Sequence, residues 1–228
     1  MFPLIRQLGI AILMASGLEI ATTLLAPLPL RAEIVTLPNG ARCDGQFQGL
    51  NGRGLCVYAE EPIGSPYDYY EGEIRNGQPN GSGLFVYANG DRYEGQVSNG
   101  QPNGRGTFVF ANGDRYVGQM RNGIPQGTGT FRFASGDRYS GGMREGQPHG
   151  RGTFIFADGQ SYNGQFYLGQ VNGRGVLIHP NGMRCEGDFY NSQFMGKGTC
   201  TNPSGRPFRR YSGELSNGLP NGVGNYVR

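Results

Sequence analysis

Along most of the chain, apolar and polar residues follow a short pattern that keeps returning. In YEGQVSNGQPNGRGTFVFANGDR, residues 93–115, apolar side chains stand at alternate positions: Tyr93 and Val97, then Phe108 and Phe110. A period of two is the mark of a half-buried strand. Between these runs lies NGQPNG, a cluster of turn residues. After them comes ANGD, which carries an Asn-Gly hairpin signal. The pattern predicts two short strands per unit, at positions 1–6 and 13–18, joined at NGQPNG and closed at ANGD. No sustained helical periodicity is present beyond residue 32.

The unit returns every 23 residues, five times without interruption from residue 70 to residue 184. Full units start at Cys43, Tyr70, Tyr93, Tyr116, Tyr139, Tyr162 and Cys185, and a partial unit starts at Tyr211. Glycine recurs at unit positions 3, 8, 12, 14 and 21. The unit at Cys43 lacks two residues between Gly45 and Gly52 and has a longer far turn, AEEPIGSPYDY. The unit at Cys185 gains three residues after Gly205. VTLPNGARC (35–43) aligns with LIHPNGMRC (177–185), so a half unit precedes the first full one.

Residues directly opposite across antiparallel strands share a face. If position 1 faces position 16, the glycine at 3 faces the glycine at 14. At ANGD a three-residue loop, Ala111-Asn112-Gly113 with Gly113 left-handed, keeps register and sets Phe108 opposite Tyr116. The consequence is a continuous row: Tyr70, Phe85, Tyr93, Phe108, Tyr116, Phe131, Tyr139, Phe154, Tyr162 and Leu177. Such a row packs neighbouring hairpins together. In a single-layer sheet nothing covers it, so part of it is also expected to stay open as a ligand groove. The other face carries Arg at positions 13 and 23, Gln or Glu at 4, Thr at 15 and an aliphatic at 17. It reads as cross-strand polar ladders on a solvated face.

Four cysteines occupy positions 1 and 16 of the first and last full units. The register places them opposite one another and selects Cys43–Cys56 and Cys185–Cys200 from three connectivities. Metal ligation would need Cys and His clustered at short spacing, and the chain lacks this.

Glycine (42) and proline (14) are abundant enough to raise the question of disorder, but 13 Tyr and 13 Phe argue against it. Glycine does not fall on every third residue, which excludes collagen. Net charge is only +3, which offers little to nucleic acid or an anionic membrane. Residues 1–32 differ from the rest. MFPLIR, the apolar LGIAILMASGL and a second apolar run ending in Arg31-Ala32 predict a secretory signal cleaved near Ala32, hence a periplasmic or secreted array over 33–228. The alternative is a retained membrane anchor, for which Glu19, Pro27 and Pro29 make a poor spanning helix.

Other motifs carry no chemistry. Gly-x-Gly is followed by strand where phosphate binding needs a helix. Arg53, Arg105, Arg151 and Arg174 in Asn-Gly-Arg-Gly or His-Gly-Arg-Gly fit a polar ladder better than an RNA-binding segment, so no nucleic acid is expected. His149 and His179 fall at different positions of different units. No nucleophile–base arrangement or isolated acid pair emerges. No enzyme activity, metal or cofactor is expected.

Tyr-x-Gly followed by Gly at 8, 12, 14 and 21 resembles MORN (membrane occupation and recognition nexus) repeats over residues 35–228. The resemblance implies an all-β fold: an elongated, twisted, single-layer antiparallel β-meander. It also implies a binding or scaffolding role along the aromatic groove, with a protein or peptide as partner. The alternative that it implies is peripheral attachment to membrane phospholipid. Terminal strands leave open edges, so a homodimer through those strands or through the aromatic face is a further expectation.

Overall fold

The first Asn-Gly step of NGQPNG is itself a complete turn. Asn122 and Gly123 both have positive φ, 49° and 77°, the requirement of a two-residue type I′ hairpin. The flanking strands Arg115–Arg121 and Ile124–Arg132 therefore begin immediately on either side. The expected six-residue turn is thus only two residues long. The remaining Gln-Pro-Asn-Gly (Ile-Pro-Gln-Gly in this unit) belongs to the second strand. An irregularity between Gly118 and Met120 absorbs the extra length.

The computed structural model describes residues 32–58 and 67–228; the expected signal segment and the far turn at 59–66 lie outside the described residues. Among the described residues, seventeen strands form one sheet, from Ala32–Thr36 to Leu219–Val227. Every strand pairs antiparallel with its neighbours in sequence, so the chain is a pure meander. The register matches expectation: Tyr93 faces Phe108, Gly95 faces Gly106, and Phe108 faces Tyr116. The closing turn also matches. Phe110 N–H donates to the Asp114 carbonyl at 2.9 Å, and Gly113 has a φ of 91°. The half unit before Cys43 is built the same way, with Val35 opposite Cys43 and Leu37 N–H donating to the Ala41 carbonyl.

Both disulfides form, Cys43–Cys56 and Cys185–Cys200, across adjacent strands with all four cysteines fully buried. At the far end, the insertion after Gly205 delivers Phe208, which is buried against Tyr211 and Tyr226. Asn202 holds this loop closed by donating from Nδ2 to the Arg206 carbonyl at 2.6 Å.

One part of the polar face differs from the expected ladder. The side chains at position 4 satisfy backbone rather than one another. Gln96 Oε1 accepts from Arg105 N–H (2.8 Å), Gln119 Oε1 from Thr128 N–H (3.1 Å) and Glu73 Oε1 from Ser82 N–H (3.2 Å). These amides lie where the strand irregularity interrupts the regular ladder, and an unpaired backbone donor is costly.

Candidate functional site

The residues of the expected aromatic row divide into two tracks. Tyr70, Tyr93, Tyr116, Tyr139 and Tyr162 are at most 1% exposed. Each ring lies over the paired glycines of its own hairpin. A Cβ placed on Gly106 or Gly129 would fall inside the ring of Tyr93 or Tyr116. Each hydroxyl then donates to the backbone carbonyl three residues on: Tyr93 to Gln96 (2.7 Å), Tyr116 to Gln119 (2.8 Å), Tyr139 to Gly142 (2.6 Å). The side chains at position 5 cover the rings. Phe166 packs edge-on against Tyr139 and Tyr162, and Phe189 packs against Tyr162 at 4.7 Å. Burial pushes the phenols of Tyr93, Tyr116, Tyr139 and Tyr162 up to about 12 and that of Tyr70 higher still.

The accessible track is made of phenylalanines. Phe108, Phe131 and Phe154 at position 16 are half-buried, whereas Phe85 is fully buried. Position 18 supplies the rest: Tyr87, Phe110 and Phe133 are half-buried, and Phe156 is exposed. Together they form an unbroken zigzag, Phe85–Tyr87–Phe108–Phe110–Phe131–Phe133–Phe154–Phe156, with ring centroids 4.5 to 6.1 Å apart. His179 takes position 18 in the following unit and ends the zigzag. Its Nε2 lies 3.0 Å from the Gly218 carbonyl, and its Nδ1 lies 3.2 Å from Gln160 Nε2. The Phe row was legible from the sequence because its period is fixed. The position-18 rings were visible as members of the same face, but their share of the surface was not.

The opposite face holds a trough of about 1200 Å³, whose lining includes Glu94, Arg105, Thr107, Thr128, Thr130 and Ser140. Among the described residues, no three His, Cys, Asp or Glu side chains gather as a metal site. No helix among them is long and apolar enough to cross a membrane.

An open antiparallel repeat sheet, with buried tyrosine rings on its paired glycines and a second run of partly accessible rings, defines a β-hairpin repeat protein. The MORN repeat family model matches at residues 70–92, 93–115, 116–138, 139–161, 162–184, 185–205 and 211–228. The chain belongs to the MORN repeat family. No curated protein matches it in sequence. Similar solved structures include the TCP10 domain of Danio rerio CPAP in complex with a peptide of Danio rerio STIL. That likeness has 15% identity, covers 88% of this chain and 97% of that one, and has a TM-score of 0.44. Another is the SAS-4 (dCPAP) TCP domain of Drosophila melanogaster in complex with a proline-rich motif of Ana2. It has 12% identity, 82% and 94% coverage, and a TM-score of 0.39.

Proposed function

We propose that this chain is an exported, non-enzymatic scaffold that binds a protein or peptide across the phenylalanine zigzag. The observation that carries this reading is the run of neighbouring rings from Tyr87 to Phe156, half-buried along its length and exposed at Phe156. Contiguous exposed apolar surface tends to mark interaction sites, and aromatic anchors dominate interface energetics. Adjacent strands lie about 4.8 Å apart, so the rings offer regularly spaced contacts to an extended ligand lying across the strands. Two buried disulfides are compatible with an oxidising compartment.

The test replaces Phe110 and Phe133 with Ser. These positions are half-buried, so the change removes ring surface while the buried tyrosine track stays intact. Tyr116 or Tyr139 would be the wrong choice, because each is the packed core of its hairpin. Partners recovered from the native envelope with the wild-type chain should be lost with the double variant, with circular dichroism unchanged. Equal recovery with both proteins would sink the reading. Flotation with anionic vesicles separates this reading from lipid attachment through the same rings.

A further inference from the structure

The polar face concentrates positive charge at one place that the net charge of the chain conceals. Arg115 stands directly opposite Arg132, and Arg132 directly opposite Arg138, on three consecutive strands. Like charges placed directly opposite across strands are destabilising unless something neutralises them. Elsewhere on this face an acid at position 2 pairs with nearby arginines: Glu186 pairs with Arg174 at 3.0 Å and Arg184 at 3.5 Å. In the units starting at 116 and 139 that position is Val117 and Ser140. Position 17, aliphatic in Val86, Val109, Ile155 and Ile178, becomes Arg132 in this same region. An added cation and two missing acids therefore coincide in space.

The nearest acids in sequence are committed elsewhere. Asp114 Oδ1 accepts from Ala134 N–H, and Asp137 Oδ1 from Ala157 N–H, each at 2.8 Å. Their other oxygens accept from Asn112 Nδ2 and from the Ser135 hydroxyl. None of the three arginines forms an ion pair with a described carboxylate. Two residues along the same face, Thr107, Thr130 and Ser140 place hydroxyls in the wall of the trough. Arg115 reaches toward them, with Nη2 3.5 Å from Thr107 Oγ1.

We propose that Arg115, Arg132 and Arg138, with the Thr130 and Ser140 hydroxyls beside them, bind a ligand carrying two or more phosphate groups. Three guanidiniums on strands about 4.8 Å apart span roughly 10 Å, more than one phosphate can bridge. Guanidinium forks match phosphate oxygens in bidentate fashion, and the hydroxyls complete the acceptor-rich shell. This site lies on the face opposite the phenylalanines and is independent of the binding proposed there.

The probe is inorganic tripolyphosphate, titrated calorimetrically into the full chain at low salt. The wild type should bind it, with affinity falling as ionic strength rises. Arg132→Val, which restores the aliphatic of other units, should weaken binding at least tenfold, as loss of a charge-assisted contact does. Its ligand-free Tm should be no lower than that of the wild type, which excludes misfolding as the cause. Arg184→Val, removing an arginine already paired with Glu186, should bind as the wild type does. No binding by the wild type, or equal loss in both variants, overturns the site. Vesicles containing a lipid whose headgroup carries two phosphates identify the source: vesicle binding that tripolyphosphate competes away assigns the phosphates to a lipid headgroup, and no vesicle binding assigns them to a free ligand.

Discussion

The ring of Tyr116 occupies the space that a Cβ on Gly129 would need, with Gly129 on the neighbouring strand. The relation recurs between Tyr93 and Gly106, Tyr162 and Gly175, and Tyr211 and Gly224. Paired glycines are thus the floor on which each tyrosine lies.

Gly129→Ala should therefore destabilise the chain by about 2 kcal/mol, in the range of overpacked cores. Tyr116→Phe keeps the ring and loses only the hydroxyl bond to Gln119, costing about 1 kcal/mol. Urea denaturation of the two variants checks the order. A larger loss for Tyr116→Phe would show that the hydroxyl, rather than the ring on its glycines, dominates.

The same burial makes stability fall at high pH. The folded phenols of Tyr93, Tyr116, Tyr139 and Tyr162 titrate near 12, above the usual 10. The folded state holds their protons more tightly than the unfolded state does. Their contribution is therefore fully present below pH 10 and is lost as pH rises from 10 through about 12. Tyrosinate absorbance should appear together with loss of β circular dichroism in that window. Tyrosinate signal of the full tyrosine content near pH 10, with the fold intact, would contradict this.

Reduction should act at the two ends of the row. Cys43–Cys56 and Cys185–Cys200 close loops of 13 and 15 residues. In the chain-entropy model each contributes roughly 3 kcal/mol. Replacing Cys185 and Cys200 together with Ser should lower Tm markedly, and adding reductant to that variant should lower it again through the remaining bond. An unchanged Tm on reduction of the wild type would remove the assigned role.

Leu168 offers a change of opposite sign. It has a φ of 46° at the turn position where Asn76, Asn99, Asn122, Asn191 and Asn217 stand in other units, and it is 44% exposed. A left-handed backbone costs a side chain such as leucine about 1 kcal/mol or more, and asparagine tolerates it. Leu168→Asn should raise stability by roughly 0.5–1 kcal/mol in denaturant titration. A drop would mean that the leucine side chain packs more than its exposure indicates.

Register was readable from the sequence because period, glycine pairing and turn length each fix it, and all three agree for Tyr93, Phe108 and Tyr116. Disulfide pairing followed from the same register. The division of the rings was not readable. Tyrosine and phenylalanine share a face, and which one lies flat depends on the glycines beneath and on the carbonyl within reach of a hydroxyl. From sequence alone Gln96 and Gln119 look like ladder members, because their backbone partners exist only once the strand irregularity is known. The arginine cluster was hidden for another reason. Arg115, Arg132 and Arg138 come from two turns and three strands, and net charge averages them away.

Asp91, Asp114 and Asp137 each accept from the alanine N–H of the next closing turn, at Ala111, Ala134 and Ala157. Each such link joins one unit to the next by the same bond, so the chain can be lengthened or shortened in whole steps without any junction noticing. Excising residues 116–138 would bring Asp114 and Ala157 into the relation each now has with Ala134 and Asp137. The array then behaves as a ruler graduated in steps of about 10 Å, two strand spacings each. Under the binding proposed for the phenylalanine zigzag, the number of graduations, more than the chemistry of any one, sets the length of ligand that the array spans.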